Sequence, residues 1–243
     1  MFPIFRKELT SFFTTPVGYL VFLIFWILSG LFLWVFKGEF NILDFGFADL
    51  SPFFLLAPWL FMFLVPALSM KTFAEERKLG TLELLLSRPI KLKDLILGKF
   101  FGVFALSIAA LIPSIIYVQT IVSLSMPAET PDTGLILGSY IGLLLLISLF
   151  AGIGVFASSL TDNQVVAFLV AVVINFIMYY GFERFSELLQ EGGMVLGVAS
   201  LGIKSHFENI GQGILDSRDF IYFTSLVLAF LFWTGLRINT YRV

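Results

Sequence analysis

Residues 71–99, KTFAEERKLGTLELLLSRPIKLKDLILGK, form the only long polar interruption in the N-terminal half of an otherwise apolar sequence. This stretch carries seven of the 15 Lys and Arg residues of the chain, interleaved with four acidic residues. The apolar runs on either side of it end where it begins and resume where it ends. We interpret it as a polar segment that lies on one side of a membrane, where another protein docks.

The composition of the whole chain is that of an integral membrane protein. Of its 243 residues 58% are hydrophobic and 13% are charged, and the mean hydropathy is +0.97, far from soluble globular domains. Apolar runs of about 20 residues recur, and a helix of that length crosses the hydrocarbon while satisfying its own backbone hydrogen bonds. The unbroken runs therefore predict an all-α, polytopic membrane protein with a single transmembrane domain, residues 1–243.

One interfacial helix and six membrane spans account for the apolar runs. Residues 1–16 place Phe5, Leu9, Phe12 and Phe13 on one helical face, which predicts a helix lying along the membrane surface. A cleaved signal peptide is disfavoured, because its apolar region would be shorter than the first span. The predicted spans cover residues 17–36, 52–70, 100–124, 136–158, 164–182 and 220–238. Three prolines in the second span predict that it is kinked.

The distribution of charge predicts how the spans are oriented. With both termini inside, the inner segments carry two Lys or Arg at the N-terminus, seven in 71–99 and two at the C-terminus, 11 in all, against four outside. The positive-inside rule then places both termini and residues 71–99 in the cytoplasm, and residues 183–219 outside. The apolar run MVLGVASLG at 194–202 is too short to cross and predicts a buried, interfacial or re-entrant element.

Several function classes are disfavoured by the residues that are missing. Every charged residue falls outside the central part of a predicted span, whereas an ion-coupled transporter normally needs an ionisable group there. The mid-span amides of Gln119 and Asn175 are expected to form interhelical hydrogen bonds. The only Gly-Lys pair, Gly98-Lys99, is followed by Phe100, so the phosphate-binding loop of an ATPase is absent, as is a G-x-S-x-G motif. We therefore predict no enzymatic activity and no cofactor in this chain.

Small and polar residues mark three further features. Gly98 and Gly102 have the small-xxx-small spacing of a helix-packing seam, and the fourth span has a series of small positions, Gly138, Gly142, Gly152, Gly154 and Ser158. In a chain with one His and no Cys, His206 is expected to be a packing or surface residue rather than a metal ligand. Asp216 or Asp219 is expected to cap the last helix.

The order of residues within 71–99 has a mechanical interpretation. The second span can continue to Leu79, Gly80 can end it, and Thr81 can cap a short helix that Pro89 stops. That helix would carry Leu82, Leu85 and Leu86 on one face. A partner pushing on these leucines would tilt both connected spans. From spacing alone, a basic loop whose leucines rest on lipid fits equally well.

The run EERKLGTLELLLSRPIKLKDLILGK, surrounded by six spans, resembles the loop between the second and third spans of type-2 ABC exporter (ABC-2) permeases. The external HFENIGQGILDSRDFIYF also resembles the segment that these permeases carry there. Within the family, the chain is most similar to gliding-motility-associated permeases of the GldF type, followed by copper-processing NosY-type permeases.

The resemblance implies a role for each matching residue. Glu75 and Glu76 would lie at the foot of the second helix, and residues 80–86 would form a coupling helix that contacts a separate ATPase subunit. Its implied contact residues are Gly80, Thr81, Leu82, Glu83, Leu85 and Leu86. Residues 1–16 would be the connecting helix beside it.

The implied assembly is two permease subunits and two ATPase subunits in the bacterial inner membrane. ATP and Mg²⁺ would bind to the ATPase, membrane lipid would surround the spans, and nucleic acid would not be a partner. A non-conducting membrane anchor or assembly factor of a surface machine remains open as an alternative. Copper-processing, drug or lipid export also remain open, because the sequence does not identify a substrate.

Overall fold

The computed structural model describes residues 1–44, 46, 49–87, 90–125, 132–187, 200–213 and 216–241. Every regular element within these ranges is helical, which confirms the predicted all-α fold. The N-terminal half contains α1 (Phe2–Phe13), α2 (Pro16–Trp34), α3 (Ser51–Ser69), α4 (Lys71–Lys78), α5 (Thr81–Leu86) and α6 (Leu92–Leu111). The C-terminal half contains a 3₁₀ turn (Ile112–Ser114), α7 (Ile115–Leu124), α8 (Thr133–Leu160), α9 (Gln164–Phe176), a π-helical turn (Ile177–Gly181), α10 (Phe182–Glu187), α11 (Ile203–Gly211) and α12 (Ser217–Asn239).

Five helical units among the described residues are long and apolar enough to cross a membrane. They are Ser51–Lys78, Leu92–Leu124, Thr133–Leu160, Gln164–Glu187 and Ser217–Asn239. The pair formed by α1 and α2 gives a sixth if it is counted as one span, and the two helices meet at a bend of 72°. The bend follows from Pro16, since proline fits the first turn of a helix but cannot extend the preceding one. The five units and α2 lie, in order, over the six predicted spans, and α1 is the predicted N-terminal helix.

The third long helix begins earlier, within residues 71–99, than the sequence predicted, whereas the helix that continues the second span ends beside the predicted Leu79. α4 continues α3 as far as Lys78, and α6 begins at Leu92, eight residues before the predicted start of the third span. A helix satisfies its own backbone hydrogen bonds, so it can run past the membrane boundary while its polar side chains find partners there. What remains between the long helices is the short α5 with its two connections.

α8 is the central helix of the bundle and packs against α3, α4, α6, α9, α11 and α12. Its predicted small positions permit this close packing. A Cβ atom on Gly154 would lie 2.1 Å from the Ser69 Oγ of α3, and one on Gly138 would lie 2.9 Å from the carbonyl oxygen of Ile210 in α11. Any larger side chain at these positions would push the neighbouring helix away.

The part of 183–219 that the structure describes folds back onto α8. The amphipathic α11 buries Ile203, Phe207 and Ile210, and it packs across the Gly138 end of α8. Asp216 accepts a hydrogen bond from the Arg218 backbone N–H at 2.9 Å, which confirms it as the cap of α12. Most of the apolar run at 194–202 falls on residues 188–199, outside the described residues.

The two other side chains singled out in this segment form a contact with each other. His206 Nδ1 lies 2.5 Å from Asp219 Oδ1, and the His206 ring stacks on Tyr222 with ring centroids 4.0 Å apart. Asp219 therefore does not cap α12 but holds the histidine in place. The expectation that His206 is a packing residue is confirmed.

Candidate functional site

The polar stretch folds into two short helices joined by a tight turn. α4 ends at Lys78, and Gly80 adopts a left-handed conformation with φ of +66°, which glycine adopts without the strain that a side chain would add. α5 then begins at Thr81. The Thr81 hydroxyl does not cap α5 as expected, because it donates to the Glu76 carbonyl oxygen at 3.2 Å. It therefore satisfies a carbonyl at the end of α4. Pro89, expected to stop the helix, lies outside the described residues.

The leucines of α5 do not share one exposed face. Leu82 is only 2% exposed and belongs to the hydrophobic core, and Leu86 is partly buried against that core. Leu79 and Leu84 are instead 66% and 67% exposed. Positions 82 and 86 are one helical turn apart, whereas position 84 lies about 200° around the helix from position 82. The expectation that Leu82 touches a partner conflicts with its burial.

Five exposed residues surround the turn at Gly80: Lys78, Leu79, Gly80, Glu83 and Leu84. We call these five residues the tip surface. Of the residues singled out from sequence, only Gly80 and Glu83 belong to it, while Glu75, Thr81 and Leu85 are partly buried. The two exposed leucines were missed, although their distance from Leu82 around the helix could have indicated them.

A buried ion cluster joins α1, α4 and α6 behind the tip surface. Lys99 is 1% exposed, and its Nζ lies 2.9 Å from Glu8 Oε1 and 3.0 Å from Glu76 Oε2. The same Nζ donates to the Thr72 carbonyl oxygen. The second carboxylate oxygen of Glu76 accepts from Lys7 Nζ at 2.9 Å. A buried charge is tolerated only when it is paired and hydrogen-bonded, and this cluster pairs Lys99 with carboxylates from two other helices.

Lys7 forms the outer edge of the ion cluster. Burial acts to lower its pKa, but the hydrogen bond and the charge of Glu76 outweigh that effect and raise the pKa above its ordinary value. Lys7 therefore keeps its positive charge, and Glu76 is held between two cations. The sequence had placed Glu76 correctly at the foot of the second helix, but it did not indicate that Lys7, Glu8 and Lys99 would surround it.

Close contact between α1 and α6 makes the ion cluster possible. A Cβ atom on Gly98 would lie 2.9 Å from the Ile4 Cβ, and one on Gly102 would lie 2.8 Å from the Glu8 Cβ. The predicted small-xxx-small seam is thus a packing seam, and the element that packs on it is the N-terminal helix. The glycines bring the α1 backbone close enough for Glu8 to reach Lys99.

The junction between α3 and α4 is closed by a side chain of α8. Ser158 Oγ accepts from the backbone N–H groups of Phe73 and Ala74 at 3.0 and 3.1 Å and donates to the Met70 carbonyl oxygen at 3.0 Å. Arg77 Nη1 also donates to the Ser159 carbonyl oxygen at 3.0 Å. α3 and α4 are thus separated only at Met70, one turn beyond Pro66, where α8 contacts both. The kink expected for this span stays a prediction.

The two mid-span amides, Asn175 and Gln119, do not form the expected interhelical hydrogen bonds among the described residues. Asn175 is fully buried, and its amide group has no hydrogen-bond partner among the residues that the structure describes. Gln119 is exposed on the surface of the bundle. In the described part of the chain no group of three or more His, Asp or Glu residues could hold a metal ion. Among the described residues, the buried charged side chains are Glu76 and Lys99 of the ion cluster and Asp219, which contacts His206.

The family model described as ABC-2 family transporter protein matches residues 3–234. Comparison with curated proteins gives no match. The matched range includes α1, the ion cluster, the tip surface and nearly all of α12.

Proposed function

The chain belongs to the ABC-2 family of transporter proteins, and we propose that it is a permease subunit driven by a separate ATPase that docks on the tip surface. It is a multi-pass membrane protein of a family whose membrane subunits are generally non-catalytic. ATP and Mg²⁺ would bind to the partner subunit. The observation that carries the proposal is the pair of exposed leucines on either side of Gly80, beyond the end of the α3–α4 helix.

The tip surface has the composition of a protein contact. Leu79 and Leu84 present two large apolar side chains, flanked by the charges of Lys78 and Glu83. An apolar centre with a polar rim is typical of protein interfaces. Contact with lipid suits this surface less well, because Lys78 lies nine residues beyond Ser69, about 14 Å along the helix axis.

The buried residues of α5 have a different role in this proposal. Leu82 and Leu86 anchor α5 to the core, and Glu76 and Arg77 fasten α4 to α6 and α8. A displacement of α5 is then passed to three spans, because packed helices move as rigid bodies rather than by deforming. The leucines that were expected to touch the partner thus transmit its movement.

The orientation and the assembly complete the proposal. The excess of Lys and Arg on the tip-surface side, 11 against four, supports a cytoplasmic location for it and for both termini, in the bacterial inner membrane. A second permease subunit completes the pathway. The proposed contact with that subunit is α9, because Gln164–Glu187 is the least buried of the five spans.

The narrower role rests on resemblance. The loop 75–99 and the external segment 206–223 support a gliding-motility-associated subunit of the GldF type. An anchoring role without transport, and copper-processing, drug or lipid export, are the alternatives. Loss of gliding in a strain that lacks this chain, with normal copper and drug tolerance, would support the first role over the others.

The docking proposal is tested with the double variant Leu79→Ala/Leu84→Ala. The variant should fold normally but should fail to co-purify with the ATPase and to stimulate its ATP hydrolysis, since central apolar contacts dominate binding. The matched control is Leu137→Ala/Leu228→Ala, whose leucines are equally exposed but lie elsewhere. Unchanged co-purification of the tip-surface variant would show that the partner binds another surface.

A further inference from the structure

A cleft of about 600 Å³ opens between α1 and the helices α3 to α6. It runs from the level of the membrane spans to α5, and we call it the foot cleft. Apolar side chains of α2, α3 and α6 line its inner end, and charged side chains of α1 and α4 line it beyond that, together with Leu79, Leu84 and Leu85 beside α5. The two exposed leucines of the tip surface thus also border the cleft. A cavity with both apolar and charged walls is suited to an amphiphile.

The inner end of the foot cleft lies among residues of the predicted spans. It is lined by Val21 of α2, Leu68 of α3, and Val103 and Leu106 of α6. Leu106 follows Lys99 by seven residues, which is about 10 Å along the helix axis toward the centre of the span. A water-soluble protein cannot reach this depth, whereas an acyl chain of the surrounding bilayer can.

The outer end of the foot cleft offers one cation and one anion. Lys71 and Glu75 are four residues apart, on the same side of α4, and both line the cleft. Their charged groups form no hydrogen bond or ion pair with other residues in the described part of the chain. The remaining charges near the cleft, Lys7, Glu8, Glu76 and Lys99, are paired with one another.

We propose that the foot cleft binds one phospholipid with an ethanolamine headgroup. Lys71 pairs with the phosphate, Glu75 accepts hydrogen bonds from the ammonium group, and one acyl chain lies against Val103 and Leu106. A primary ammonium donates hydrogen bonds that the quaternary ammonium of choline cannot donate. An anionic headgroup would leave Glu75 close to a negative charge. The bound lipid separates α1 from α5 and thereby supports the tip surface, but its binding does not depend on the proposed transport function.

The proposal is tested by native mass spectrometry of the purified, delipidated chain with phosphatidylethanolamine, phosphatidylcholine or phosphatidylglycerol added. The wild-type chain should retain one phosphatidylethanolamine in preference to the other two. Lys71→Gln and Glu75→Gln should each weaken this binding about tenfold, the loss expected for one charge-assisted hydrogen bond. Glu75→Gln should also abolish the preference for ethanolamine over choline. The matched controls, Lys78→Gln and Glu83→Gln, remove equivalent charges outside the cleft and should bind as wild type.

A second variant tests the apolar end separately. Val103→Trp fills the inner end and should exclude the lipid, while the thermal unfolding of the delipidated chain shows whether the fold is retained. Equal binding of all three lipids by the wild-type chain, or tighter binding of phosphatidylglycerol, would overturn the proposal. Unchanged binding in Lys71→Gln and Glu75→Gln would also overturn it.

Discussion

Glu76 and Lys99 form a buried ion pair, with Glu76 Oε2 3.0 Å from Lys99 Nζ, although 23 residues separate them along the chain. This pair fastens the foot of the second span to the foot of the third. Glu8 joins it from α1. The three elements at the base of the protein thus share one network of charges, directly behind the surface where we propose that an ATPase docks.

Removing the cation of this cluster should strongly destabilise the fold. Lys99→Met leaves Glu8 without its cation and Glu76 with Lys7 alone, and breaking one side of a buried ion pair typically costs about 3–5 kcal/mol. We expect a clear drop in thermal unfolding temperature in detergent. Lys78→Met, at an exposed position of α4, should change stability by less than about 0.5 kcal/mol. Similar stabilities for both variants would mean that the cluster is not structural.

Two glycine-to-alanine substitutions should have opposite effects. Gly30→Ala adds a methyl group where nothing lies within 4 Å, so it should stabilise α2 by about 0.5–1 kcal/mol through helix propensity. Gly102→Ala places its Cβ 2.8 Å from the Glu8 Cβ and should destabilise by about 1–3 kcal/mol. Unfolding temperatures measured side by side provide the comparison. A stabilised Gly102→Ala would show that α1 does not pack on α6.

Replacing Asn175 should stabilise the protein. Its buried amide lacks a partner among the described residues, and such a group costs about 1–3 kcal/mol. Asn175→Leu keeps the number and branching of the side-chain heavy atoms and removes that cost, so its unfolding temperature should rise, whereas Asn175→Asp should lower it. A drop for Asn175→Leu would mean that the amide does form a hydrogen bond in the assembled protein.

The orientation can be measured directly, because the chain has no cysteine. Ser87→Cys and Asn209→Cys introduce single thiols at exposed positions beside α5 and in α11. A membrane-impermeant maleimide added to intact cells should label only Asn209→Cys, and Ser87→Cys should react after permeabilisation. Labelling of Ser87→Cys in intact cells would overturn the proposed cytoplasmic position of the tip surface.

The features that could be predicted from sequence are those encoded locally. Apolar run length predicted the helical fold and the order of the spans, and the turn at Gly80 and the cap at Asp216 follow from the intrinsic preferences of these residues. The ion cluster could not be predicted in the same way. Glu8 and Lys99 are 91 residues apart, and nothing in either local pattern indicates that α1 lies on α6.

The sequence did not show which leucines of α5 are buried and which are exposed, for a related reason. Four leucines in six residues leave no polar face to indicate which side is buried, so the choice of Leu82, Leu85 and Leu86 as the contact face rested on spacing alone. Packing of α5 against the core buries Leu82 and leaves Leu84 exposed, which sets the exposed face of the helix. The sequence predicted the short helix, and only the fold distinguishes its buried face from its exposed face.

Site-specific photocrosslinking at Leu84 and Leu82 tests the central claim most directly. A photoreactive amino acid is placed at each position in turn, the cells are irradiated, and the crosslinked protein is identified by mass spectrometry. Position 84 should capture a protein that carries a phosphate-binding ATPase loop, and the buried position 82 should capture only peptides of this chain. Capture of the ATPase from position 82 and not from position 84 would contradict the account.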